Sequence, residues 1–192
     1  MKTFAYALAG LGILLSLQPG LAQFQSQYKN KVVIVKMKMS EVKPSEMTRE
    51  DLIIRAKSTS FNKNLEGAKL NDANLMGVNL QSANLAEASL KKAVLKDANL
   101  CRADLTSANL ESSFLDGADM KSASLVSAIL TGASMRGVNL SYADLTGASL
   151  RKANLTDADF SNADLTGADL GEAKTNNTFF AGAIMPDGTV HP

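Results

Sequence analysis

From residue 65 to residue 170 an apolar side chain returns at every fifth position, and the residues between are small or polar. The interval holds (170 − 65)/5 + 1 = 22 consecutive repeats without a slip, and the central residue is Leu except at Met120, Met135 and Phe160. From Ala68 onward the residue two places earlier is Ala, with Val78, Val138 and Ser113 as the exceptions of similar size. Asn or Asp stands between the two in most repeats, so the chain reads Ala-(Asn/Asp)-Leu-x-x. A period of five fits neither regular element. At about 100° per residue it walks the Leu stripe around a helix, and in a flat strand an odd period sends successive Leu side chains to opposite faces.

The chain must therefore bend once per repeat. If each bend returns the next Leu to the inside, the backbone winds around an axis filled with Leu and Ala, and successive turns pair about 4.8 Å apart. Gly67, Gly77, Gly117, Gly132, Gly137, Gly147 and Gly167 stand two places after the central residue, where a tight turn can demand a positive φ. Pro19, Pro44, Pro186 and Pro192 all lie outside the array, which leaves its backbone donors free to pair. A helical solenoid would need caps and a 3.6-residue period, and the array has neither.

These residues carry a resemblance. Ala-Asn-Leu at 73–75, 83–85, 98–100, 108–110 and 153–155, and Ala-Asp-Leu at 103–105, 143–145, 163–165 and 168–170, are similar to the motif of the pentapeptide-repeat family. The resemblance implies an all-β solenoid: a right-handed, four-sided parallel β-helix with one pentapeptide per side and four per coil. On that geometry the 22 repeats make five and a half coils, a rod of roughly 25 Å at the ladder spacing.

The segments outside the array predict their own elements. Lys2, the apolar run Phe4–Leu17 and the small residues Gly20 and Ala22 predict a secretory signal over 1–22, cleaved to leave Gln23 as the first residue. The run is short for a retained membrane span. Residues 23–62 are expected to hold a strand over Lys31–Met39, broken at Pro44, and a short capping helix begun by Thr48 with Glu50 and Asp51 in its first turn. The β-helix is assigned to 63–175 and a C-terminal cap and tail to 176–192, with Phe179, Phe180, Ile184 and Met185 closing the bore. Solenoids need such covers because a bare last coil offers unpaired backbone and apolar surface.

Charge narrows little. Gln23–Asn62 carries eight Lys/Arg against four Asp/Glu, and Lys63–Glu172 carries ten against fourteen, so a leader of +4 precedes a rod of −4; neither value selects nucleic acid or a membrane surface. The lone Cys101 cannot form an internal disulfide. With one histidine, His191, far along the chain from it, no nucleophile and base can be assembled. The Asp and Asn before each Leu follow the repeat period and read as outward polar ladders. No catalytic residue, cofactor, metal ligand or small-molecule substrate is expected, and the three Asn-x-Ser/Thr sites at Asn139, Asn154 and Asn176 are products of the repeat or of chance.

Function is then expected on the outer sides. In successive coils the residue before Leu on one side runs Asn74, Val94, Phe114, Ser134, Asn154, and Val94 and Phe114 break the polar rule on adjacent rungs. Ile129 breaks it on the neighbouring side. Outward apolar residues where the pattern demands Asn or Asp point to a surface for an unknown protein partner or a second copy. Lys91, Lys92, Arg151 and Lys152 share a side but are interrupted by Glu111, and read as a solvated face. The favoured reading is a non-enzymatic interaction or scaffold module in the periplasm, the thylakoid lumen or the extracellular space, with no membrane attachment after signal removal. Two alternatives are a DNA-mimicking topoisomerase binder, disfavoured by export and by the modest rod charge, and an ice or polysaccharide binder built on the column Thr106, Val126, Thr146, Thr166.

Overall fold

The computed structural model describes the backbone of residues 4–8, 13–18, 21–28 and 31–37, then residues 43–44 and 47–57, and the whole chain from 63 to 192. It divides into two compact units, Met1–Glu46 and Met47–Pro192.

In the first unit four strands, β1 (Phe4–Leu8), β2 (Ile13–Gln18), β3 (Leu21–Tyr28) and β4 (Lys31–Met37), form an antiparallel meander in chain order. Leu8 pairs with Ile13, Gln18 with Leu21 and Tyr28 with Lys31, and the last two separations are those of tight hairpins. The sequence predicts one strand here and the structure has four: the apolar run read as a leader carries β1 and β2. Removal of residues 1–22 would take away β1, β2 and the first two residues of β3.

The second unit is the rod. Each residue before an inward side chain pairs in parallel with the residue twenty further on, from Asn64↔Asn84 to Asp164↔Ile184, so one coil is four pentapeptides. The four sides pass through Asn64, Lys69, Asn74 and Asn79 in the first coil, and are numbered first to fourth in that order. Three backbone bonds join each side to the next coil, as in Leu65 N to Asn84 O at 2.7 Å, Gly67 N to Ala86 O at 2.8 Å, and Asn84 N back to Lys63 O at 3.1 Å. A fourth closes the corner, as in Ala68 N to Leu65 O at 3.0 Å. The central residues from Leu65 to Leu165 and their Ala partners fill the bore and are buried, each Leu worth about 1.5–3 kcal/mol in transfer free energy. The position two before each inward residue from Leu70 onward takes a small side chain, Ala in most coils, with Val78 and Val138 the largest buried there.

The corner explains the glycines and goes beyond them. Every residue two places after the central one, from Gly67 to Gly182, has φ between +53° and +71°, the third position of a type II turn. Sixteen of these corners carry another residue, among them Asp72, Ser107 and Tyr142. The inter-coil bonds hold a conformation that costs an L-residue about 1–2 kcal/mol.

The ladder runs on past 175: Lys174, Phe179 and Ile184 each bridge the residue twenty before. There the backbone folds back, with Ile184 pairing antiparallel to Val190 and His191 N donating to Ala183 O at 2.8 Å. Phe180 stacks on the buried Phe160 with ring centroids 5.4 Å apart, and Met185 packs on the core. Phe179, expected to help close the bore, instead points outward because it occupies the position before the inward one. At the other end α1 (Arg49–Lys57) buries Leu52 and Ala56 against the core of the first coil. Thr48 caps it: its hydroxyl accepts the Asp51 amide, and Asp51 Oδ2 accepts both the Thr48 hydroxyl, at 2.6 Å, and the Thr48 amide, a reciprocal capping box.

Candidate functional site

The Asn/Asp of each repeat has a defined task. The amide of the residue after Leu faces out of the ladder, and the Asn/Asp Oδ1 two places before it accepts that N–H, as in Asn74 to Met76 at 3.2 Å, Asp104 to Thr106 at 3.0 Å and Asp119 to Lys121 at 3.1 Å. This is an Asx turn. Two rungs with Ser in place of Asn, Ser89 and Ser134, use another acceptor, whereas Ser124 and Ser149 bond the hydroxyls of Thr106 and Thr131. The amides of Lys91 and Arg136 are accepted by Asn71 and Asp116 one coil below, and the hydroxyls of Ser89 and Ser134 donate to the same oxygens.

Val94 and Phe114 depart from both arrangements. They are direct bridge partners on the third side; Val94 is half-buried and Phe114 is 49% exposed. Neither can cap, and no side chain accepts the amides of Lys96 and Asp116. The residues one coil below those two positions, Met76 and Lys96, offer no oxygen acceptor from their side chains. Met76 is 55% exposed on the same side, in the column of Lys96 and Asp116, two places along the chain from the Asn74 rung below Val94. Ile129 is 40% exposed but bridges Asn109 and Ser149 on the second side, which separates it from the strip.

The strip lies among charges. Lys92, Lys96 and Arg136 are exposed and form no ion pair among the described residues. A shallow depression beside the strip is lined by Lys96, Asp116, Arg136, Gly137 and Asp157. Gly117 at its corner has φ +69°, and an added Cβ would lie 2.5 Å from Asp97 Oδ1, so the Asp97 carboxylate occupies the space a side chain would take.

Other candidate groups are engaged within the rod. Lys91 pairs with Glu111 at 2.6 Å, Arg151 with Glu172 at 2.8 Å and Asp169 at 3.4 Å, and Lys152 with Glu172 at 3.8 Å. The threonine column turns its hydroxyls onto its own side: Thr146 donates to Asp144 and Thr166 to Asp164, both at 2.6 Å, and Thr106 bonds Ser124 at 3.0 Å. The Thr166 hydroxyl, then its amide, hold the Asp164 carboxyl below the usual carboxylate range. Cys101 is half-buried on the fourth side, its amide capped by Asn99, and His191 belongs to the terminal hairpin. Among the described residues no group of three His, Cys, Asp or Glu side chains is placed to hold a metal ion, and no helix is long and apolar enough to cross a membrane.

Sequence reasoning passes over Met76 and Tyr142, both large and exposed, and assigns the exposed Phe179 to the bore. Phe179 breaks the same rule as Val94 and would have been found by continuing the register past 175. Tyr142 sits at a positive-φ corner and Lys121 Nζ lies 5.6 Å from its ring centroid, a cation–π contact that only the stacking of coils brings together.

The family model described as pentapeptide repeats matches residues 64–97, 83–121, 103–141, 133–171 and 163–187. No curated protein matches the chain. Among solved structures it is similar to HetL, a pentapeptide repeat protein involved in heterocyst differentiation regulation from Nostoc sp. strain PCC 7120, at 29% identity over 68% of this chain and 78% of that one, with a TM-score of 0.43. Rfr23 from Cyanothece 51142 is 26% identical over 69% of this chain and 95% of that one, TM-score 0.39. A pentapeptide repeat protein of the Arabidopsis thaliana thylakoid lumen is 29% identical over 51% of this chain and 65% of that one, TM-score 0.30.

Proposed function

The chain belongs to the pentapeptide-repeat family, and we propose that its right-handed quadrilateral β-helix acts as a non-enzymatic interaction module that engages a protein partner through the third side, at Val94 and Phe114. One observation carries this reading: two apolar residues, the half-buried Val94 and the exposed Phe114, replace the capping Asn/Asp on consecutive rungs. Each replacement forgoes a turn-capping hydrogen bond, worth about 0.5–1.5 kcal/mol net, and places apolar area in water. Ile129 offers a single apolar contact on the second side and is an accessory to the surface at most.

The module is proposed to act outside the cytoplasm. The support is the charged start, apolar run and small-residue site of residues 1–22. Mass spectrometry of the native protein is expected to find Gln23 at the amino terminus, and a cytosolic species with Met1 intact would overturn that assignment.

The double substitution Val94→Asn/Phe114→Asn tests the surface. It restores both caps, so stability should hold or rise, while capture of the native partner and the sedimentation coefficient shift it produces should be lost. Unchanged capture and sedimentation would place the binding surface elsewhere.

A further inference from the structure

We infer that the partner presents an acidic segment to the third side, with carboxylates taking the amide positions that the Val94 and Phe114 rungs leave uncapped. This rests on the reading of that side as a contact surface. On fourteen rungs the outward amide after the inward residue is met by Oδ1 of the Asn or Asp two places before it, at 2.8–3.3 Å. The amides of Asn71, Val126, Thr131 and Arg151 have no side-chain acceptor among the described residues, but no pair of apolar residues replaces the Asn/Asp on their rungs. At Lys96 and Asp116 no side chain supplies that oxygen. The two amides stand on successive coils, about 4.8 Å apart, so the strip carries two adjacent donors directed outward beside the half-buried Val94 and the exposed Phe114.

The charges around these donors favour an anion. Lys92 and Lys96 flank Val94 in the chain, and Arg136 stands one coil above Asp116; all three lack a carboxylate partner among the described residues, whereas Lys91, Arg151 and Lys152 have one. The nearby acids oppose this only in part. Asp116 Oδ1 is taken by the Ser134 hydroxyl at 2.7 Å and the Arg136 amide at 2.9 Å, Asp157 Oδ1 accepts the Asn177 side-chain amide at 3.1 Å, and Asp97 fills the corner under Gly117. A carboxylate placed on a bare backbone N–H among unpaired cations makes a charge-assisted hydrogen bond, and the apolar neighbours of that carboxylate pack on Val94, Phe114 and Met76. The partner segment therefore alternates acidic and apolar side chains.

The probe is a fluorescein-labelled peptide alternating Asp with Leu and Phe, compared with the same peptide carrying Asn at every Asp. The mature protein is expected to bind the acidic peptide about tenfold or more tightly than the Asn peptide. That preference should fall with added salt and vanish in Lys96→Gln/Arg136→Gln. In a ¹H–¹⁵N titration the Lys96 and Asp116 amides should move while the capped Thr106 amide stays. Equal binding of the two peptides, binding of neither, or unmoved Lys96 and Asp116 amides overturns the inference. Capture of the native partner separates its failure from that of the surface: loss in Val94→Asn/Phe114→Asn with full retention in Lys96→Gln/Arg136→Gln keeps the surface and refutes the acidic occupant. A dimer that the apolar substitutions dissociate makes the occupant a second copy and refutes it as well. Retention in both variants refutes both.

Discussion

The side chain of Asp116 accepts the backbone N–H of Arg136, the residue one full coil above it, at 2.9 Å. A cap that normally lies within one repeat is here supplied by the coil below, and the Ser134 hydroxyl turns onto the same Asp116 oxygen, at 2.7 Å. Asp116→Ala should cost about 0.5–1.5 kcal/mol, the net worth of a lost hydrogen bond. In a Ser134→Asn background the local cap returns and the same change should cost less. A double-mutant cycle from urea unfolding measures the difference, and additive effects would show that the two caps are independent.

Leu110 is fully buried between Leu90 and Leu130. Truncation to Ala should cost about 2–5 kcal/mol, and Leu110→Asp should cost more by burying an unpaired charge. Asn109→Ser, one residue away and outward, removes only the cap on Glu111 and should cost about 1 kcal/mol or less. Melting curves of the two variants separate inward from outward positions.

Ser113 stands where the other rungs of its side carry Ala, and its hydroxyl is fully buried without a hydrogen-bond partner. An unmet buried hydroxyl costs about 1–3 kcal/mol. Ser113→Ala should therefore raise the melting temperature, the one substitution in the bore expected to do so.

Thr166 lowers the Asp164 carboxyl pKa through its hydroxyl first and its amide second. A carboxyl whose folded pKa lies below its unfolded value of about 3.9 contributes its full stabilisation above that value and loses it as the pH falls through the folded pKa. Thr166→Val removes the larger cause. The stability gap between wild type and variant should be present near pH 7 and close toward about pH 2, as read from denaturation midpoints. A gap that persists in acid would assign the effect to packing.

Most of the rod is legible in the sequence because one geometric demand repeats. A residue at the inward position must be apolar, its neighbour two before must be small, and 22 copies make both rules visible. Val94 and Phe114 stand out against that regularity. The uncapped Lys96 and Asp116 amides do not, since the pairing of Asp116 with Arg136 crosses twenty residues and exists only once the coil length is known. The N-terminal sheet is not legible for another reason: the apolar run Phe4–Leu17 predicts a leader, and the same run also carries β1 and β2. Phe179 was misplaced because Thr175, a polar residue at an inward position, disguises the continuing register.

The bridge between Val94 and Phe114 also sets how this chain can change in length. Bore positions on the four sides are interchangeable, so one added pentapeptide between those two residues would leave the interior satisfied at every rung. It would, however, carry Phe114 a quarter turn around the axis and onto the adjacent side, and with it every outward residue that follows. Only an insertion of twenty keeps the columns aligned, and it would part the two rungs by a coil. Gains and losses that the core accepts in units of five are thus tolerated by the outer surface only in units of twenty, and the strip itself admits neither.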